Sequence, residues 1–147
     1  MTDEDASSIQ CKQMGAQGLT TIRSSYGPEE TMNRFEAEVR VRGMVAFAHI
    51  DHAAGAAAIG LSLRPTELLI FGNAKGGTPL MQLDQTMGID LPLKALVWQD
   101  ASGITWLSYI DPNWLAMRHE LESQVKANVN DLTTVLNQMA TSATGSP

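Results

Sequence analysis

Apolar and polar positions change period several times along the chain, and each change marks an element. From Gly18 to Tyr26, Leu19, Thr21, Arg23 and Ser25 alternate with Thr20, Ile22 and Ser24, which predicts a first strand. Gly27-Pro28-Glu29-Glu30 then opens a helix, because proline suits a first turn whose N–H groups lack partners. Met32, Phe35 and Val39 recur at helical spacing as its buried stripe. Glu29 and Glu30 sit at the positive end of the helix dipole, Arg40 and Arg42 at the negative end, and Gly43 supplies the stop. Met44–Asp51 reads as a second strand, and the small residues His52–Gly60 as a short helix. The dense run Leu68–Phe71 reads as a buried strand. Gly72–Gly77 is expected to be a glycine loop, with Thr78-Pro79 starting a helix to about Met87. Leu93–Gln99 and Ile104–Ile110 form a strand pair across the turn Asp100-Ala101-Ser102-Gly103. Asp111-Pro112-Asn113 opens another helix, and Val129, Leu132, Leu136 and Met139 mark a C-terminal amphipathic one.

Hairpins mixed with crossovers predict an α+β domain whose sheet is antiparallel or mixed, with helices on one face. Residues 1–16 lack a period and are expected to be a loose tail; 17–141 form the domain, and 142–147 a second tail. A chain of 147 residues fits one domain and is long enough to fold without disulfides or a structural metal.

Ten Lys and Arg against sixteen Asp and Glu give a net charge of −6 and no basic run, which argues against nucleic acid and anionic membrane surfaces as partners. Cys11 stands alone, so neither an internal disulfide nor a multi-cysteine zinc site is available. The acidic, polar start is unlike a secretory signal, and no apolar run approaches a membrane span. These features together lead to the expectation of a cytoplasmic protein.

Three ordered blocks carry a resemblance. They are AFAHIDHAAGAAAIGLSLRPTELLIFGNAKGGTPLM, DLPLKALVWQD and WLSYIDPNWLAMRH, with GLTTIRSSYGPEETMNRFEAEVRVRGM before them. Over about residues 17–140 the chain resembles the domain-of-unknown-function family 302. The resemblance implies an α+β fold with a curved, mainly antiparallel sheet gripping helices, similar to the TATA-binding-protein-like class. It implies no reaction, and fold alone does not fix one. Where that family often has proline after the Asn of the FGN motif, this chain has Ala74.

Four sets of residues could carry chemistry. His49 and Asp51 share a strand face, with His52 at the strand end; imidazole and carboxylate serve as metal ligands or as an acid–base pair. The competing and preferred reading has Asp51 capping the next helix, since the trio lacks a full metal-site spacing. His119 could complete such a site if the fold brought it near. The segment FGNAKGGTP, with Lys75, Gly76, Gly77 and Thr78, could bind an anion at a helix N-terminus, or be a tight turn with Gly77 at positive φ and Asn73 holding the backbone. It is neither a Walker loop nor GxGxxG. Trp98, Trp106, Tyr109 and Trp114, with Met81 and Met117, could line an apolar pocket or be core. Arg118-His119-Glu120 fan around a helix and read as a solvated face.

The reading favoured from sequence is a small-ligand or sensor domain. Haem is its specific version, with His49, His52 or His119 as axial ligand. The alternatives are a metal-dependent or acid–base, hydrolase-like enzyme built on His49, Asp51 and His52, and a homodimer that pairs through exposed edge strands.

Overall fold

A computed structural model describes residues 16–146. Strand β1 (Leu19–Arg23) is followed by helix α1 (Pro28–Val41), β2 (Val45–Asp51), α2 (His52–Ala58) and β3 (Thr66–Gly72). Helix α3 (Ala74–Leu83) and a 3₁₀ turn (Gln85–Ile89) lead to the hairpin β4 (Leu93–Gln99) and β5 (Thr105–Ile110). Helices α4 (Pro112–Arg118) and α5 (Glu122–Thr144) complete the chain. The sheet runs β1-β5-β4-β3-β2, every neighbouring pair antiparallel. The α+β class and the antiparallel sheet are as the sequence led us to expect.

One face of the sheet makes the main core. Leu69 and Phe71 of β3, Ala95 and Val97 of β4, and Leu107 and Tyr109 of β5 pack on Met32, Phe35 and Val39 of α1. Leu136, Met139, Ala140 and Ala143 of α5 close the same cluster. Phe35 meets Phe71 edge to face, ring centres 5.2 Å apart, the arrangement aromatic quadrupoles favour. A second buried cluster joins Leu80 of α3 and Met87 to Leu115 and Ala116 of α4 and to Leu121, Val125 and Val129.

Three expectations need correction. Strand β1 stops at Arg23, because the Ser24 hydroxyl turns inward to Thr31 (2.6 Å) and also accepts the Tyr26 N–H. The C-terminal tail does not begin at 142: α5 continues to Thr144, Ala143 and Thr144 are buried, and the Thr144 carbonyl accepts the Ser25 N–H. Gly145 then ends the helix at φ 70°, a left-handed conformation that costs glycine little. The third concerns α3. It starts at Ala74 rather than Thr78, so Gly76, Gly77 and Thr78 are helical and Pro79 lies inside the helix. The Asn73 side chain decides this by accepting the Gly76 N–H (2.6 Å), an N-cap that outranks Thr78-Pro79. Pro79 still weakens the helix, since it cannot donate to the Lys75 carbonyl. The helix stops at Leu83, and Asp84 caps the 3₁₀ turn that follows. The expected tail before residue 17 lies outside the described residues except for Ala16.

Candidate functional site

Between α3, the β4 entry and α5 lies an open cleft of about 750 Å³. Its floor and walls are apolar: Met44 and Phe47 from the β2 region, Leu80 and Met81 from α3, Leu91, Pro92 and Leu93 from the β4 entry, Leu132 and Val135 from α5. Arg42, Asn73, Lys75, Thr78, Asn128 and Asp131 bring polar groups to its lining. The architecture explains the opening. Proline and two glycines make α3 narrow and short of side chains, so this helix cannot fill the space against α5. Phe47 sits where the β2–β3 register slips between Ala46 and Ala48, a bulge that re-aims its side chain.

Of the residues singled out from sequence, Lys75, Gly76, Gly77 and Thr78 line this cleft, as does Met81. Lys75 is exposed and makes no ion pair among the described residues. Gly77 has ordinary negative φ, so the tight-turn argument for it fails; it is a helical residue. A Cβ placed there would meet Leu91 and Met81 side chains at 3.5 and 3.8 Å, ordinary contacts inside the cleft.

The other candidates lie elsewhere. His49 Nε2 bonds Glu67 Oε2 at 2.8 Å on the exposed edge of the sheet. Asp51 accepts the Ala54 N–H and caps α2, the simpler of its two readings. His52 opens α2 and is exposed. Trp106 and Trp98 stack across the β4–β5 hairpin on the face away from the helices, centres 6.1 Å apart. Tyr109 is in the main core, where burial, then the nearby Asp111 charge, push its hydroxyl pKa up. Trp114 packs on the second cluster, and Met117 is exposed.

His119 departs from the solvated face expected of it. Its side chain is only 7 % exposed, with Nε2 at 2.6 Å from Asp90 Oδ2 and Nδ1 at 3.1 Å from the Thr86 hydroxyl and 3.6 Å from Asp84 Oδ2. The two carboxylates flank opposite ring nitrogens, so they tie α4 to the 3₁₀ turn rather than converge on one ion. Asp84 is held below the usual carboxylate range, first by the Thr86 hydroxyl, then by the Thr86 N–H, with His119 adding a smaller pull. Among the described residues no group of three His, Cys, Asp or Glu is placed to hold a metal. None of the three histidines lines the cleft, so it offers haem no histidine ligand. What sequence reasoning missed was the rest of the lining: Arg42, Met44, Phe47, Leu91 and the α5 residues. The one signal was Phe47, a large apolar residue out of phase with its strand.

The model of the family named Domain of unknown function DUF302 matches residues 20–139. This chain belongs to the DUF302 family. An uncharacterized conserved DUF302 protein from Bacillus stearothermophilus shares the fold, with a TM-score of 0.78 at 21% identity, over 87% of this chain and 99% of that one. A Brucella suis biovar 1 protein named fluoride-specific ion channel FluC 1 is 46% identical over 127 residues, 84% of this chain and 50% of that protein. A Brucella melitensis biotype 1 protein named fluoride-specific ion channel FluC 2 matches at the same identity over 47% of its length. The DUF302 chain therefore spans about half the length of the curated relatives it matches. No described helix is long and apolar enough to cross a membrane.

Proposed function

We propose that this DUF302 domain binds a small, mainly apolar ligand with an acidic end in the α3–α5 cleft. The observation that carries the reading is the cleft itself: about 750 Å³, apolar within, with cations at its lining. That volume falls in the range typical of small-molecule sites, which combine apolar walls with a few polar groups. The apolar walls favour a hydrocarbon body. Lys75 and Arg42 favour an acid at one end, although Arg42 already pairs with Glu38 (3.5 Å). Asp131 on the α5 wall disfavours a second acid. Among the described residues no His, Cys or Glu lines the cleft and Asp131 is its one acid, so binding or sensing fits it better than hydrolysis.

The test is a calorimetric titration with dodecanoate and with dodecyltrimethylammonium, its cationic counterpart. Dodecanoate is expected to bind and the cation to bind much more weakly. Gly77→Leu, which fills the cleft from a helical position with room for a side chain, is expected to abolish binding while the protein stays folded. Equal binding to wild type and Gly77→Leu would exclude the cleft.

A second reading is favoured by one observation, the match over half the length of proteins named fluoride-specific ion channels. We infer from it that the domain serves alongside such a channel, with the cleft as its sensing element. A strain lacking this chain should then grow more poorly on sodium fluoride than its parent. Identical growth across a fluoride series would remove the reading.

A further inference from the structure

The sheet has a second face whose middle rows neither buried cluster touches. Ile50, Leu68, Ile70, Leu96, Trp98 and Trp106 point away from α1 and α5, and none belongs to either core. We propose that two copies of this chain pair through this face, sheet against sheet.

Register makes the face a grid. Thr21, Ser108, Leu96, Leu68 and Ile50 stand side by side across all five strands. On one side of that row Lys94 stands beside Ile70; on the other Trp98 stands beside Trp106. The four strands β5 to β2 at about 4.8 Å spacing, with rows about 7 Å apart, make a footprint of roughly 20 by 20 Å. Two such faces, with side-chain relief, bury on the order of 1,000 Å², the size at which a specific interface begins. One chain's share, roughly half of that, is as large as the largest apolar patch a monomer ordinarily exposes.

The indoles and inner hydroxyls of the face already have partners. The Trp98 indole N–H donates to the Ser108 hydroxyl (2.9 Å), which also bonds the Thr21 hydroxyl (2.9 Å). The Trp106 indole N–H donates to Asp100 (2.9 Å). Burial under a second copy would therefore strand no donor among them. Charge agrees. The chain carries sixteen Asp and Glu, yet no strand places a carboxylate on this face; Asp51 and Glu67 lie in register with Val97, which faces the core.

The second copy is favoured over an unrelated partner by self-complementarity. A two-fold axis along the row of Leu96 sets Leu96, Leu68 and Ile50 against their own counterparts. The same axis brings each Lys94 over the partner's Trp98, since the two lie at equal distances on either side of that row on β4. An ammonium over an indole face is an attractive pair, and a desolvated one especially so. Pairing by the edge strands would leave this face uncovered and does not account for it.

The test is light scattering coupled to size exclusion on the whole chain between 1 and 100 μM. The expected mass at the upper end is twice the 15.9 kDa of one chain. Leu96→Glu should give monomers, raising the dimer dissociation constant at least about 100-fold. Lys94→Glu should weaken the dimer, and Phe47→Lys on the edge strand should leave it intact. The wild-type tryptophan emission should also shift to the red on dilution, as Trp98 and Trp106 meet water; this readout needs no variant to fold. A monomer throughout, or a dimer that survives a folded Leu96→Glu, overturns the proposal.

Discussion

Two adjacent glycines in α3 should respond in opposite ways to the same substitution. Gly76 and Gly77 are both helical with ordinary φ, so alanine at either gains helix propensity of about 0.8–1.0 kcal/mol. At Gly77 the new methyl meets only side-chain carbons at 3.5 and 3.8 Å, so most of that gain is kept. At Gly76 it lies 3.0 Å from Asn73 Oδ1, the atom that caps the helix. Pushing that oxygen away removes a cap worth about 1 kcal/mol. Gly77→Ala is therefore expected to stabilise by about 0.5–1 kcal/mol, and Gly76→Ala to be neutral or slightly destabilising. In an Asn73→Ala background the conflict disappears, and Gly76→Ala should then stabilise by about 1 kcal/mol, a coupling visible in a double-mutant cycle. Urea titrations read by far-UV circular dichroism give all five free energies. If Gly77→Ala costs 1 kcal/mol or more, or if Asn73→Ala leaves the effect of Gly76→Ala unchanged, the account of this helix start is wrong.

Gly18→Ala should cost at least about 2 kcal/mol, because φ is 80° and a Cβ would lie 2.4 Å from the Trp114 indole; a melting temperature within 2 °C of wild type would contradict this. Deleting residues 142–147 should cost about 2–4 kcal/mol by uncovering the core beneath Ala143, and an unchanged urea midpoint would return that segment to a tail. Stability should also fall in acid. Asp84 is lowered chiefly by the Thr86 hydroxyl and Asp100 chiefly by the Trp106 indole, so both keep their charge more firmly folded than unfolded. Their contribution is complete above the unfolded value near pH 4 and is lost as pH drops through the lower folded values. Asp84→Asn and Asp100→Asn together should flatten the fall of the urea midpoint between about pH 4 and 2, and an equally steep fall in the double variant would refute the assignment.

Most of the fold was legible because its signals are local. The stripe Met32, Phe35, Val39 placed α1 against the sheet, and the Asp100–Gly103 turn placed the β4–β5 hairpin. The α3 start was misread because two capping patterns compete there, Asn73 with Gly76 and Thr78 with Pro79. Choosing between them needs the strand end that positions Asn73. The tail at 142 was misread because Ala143 and Thr144 are small and look innocuous, yet small residues are what a close helix–sheet approach requires. Half of the cleft was visible in the glycine-rich segment. The other half, Met44, Phe47, Leu132 and Val135, comes from a bulge and a distant helix that no local pattern joins. His119 was read as solvated because its partners Asp84 and Asp90 lie about thirty residues earlier.

The cleft reading is tested most directly by methyl NMR of protein labelled at its methionine methyl groups. Met44 and Met81 line the cleft, Met32 and Met139 lie in the main core, and Met117 is exposed elsewhere. Titration with dodecanoate is expected to move the Met44 and Met81 methyl signals in a saturable way, to leave Met117 in place, and to have no such effect in Gly77→Leu. Saturable shifts centred on Met117, or none at Met44 and Met81 up to millimolar dodecanoate, would contradict the assignment of the cleft as the binding site.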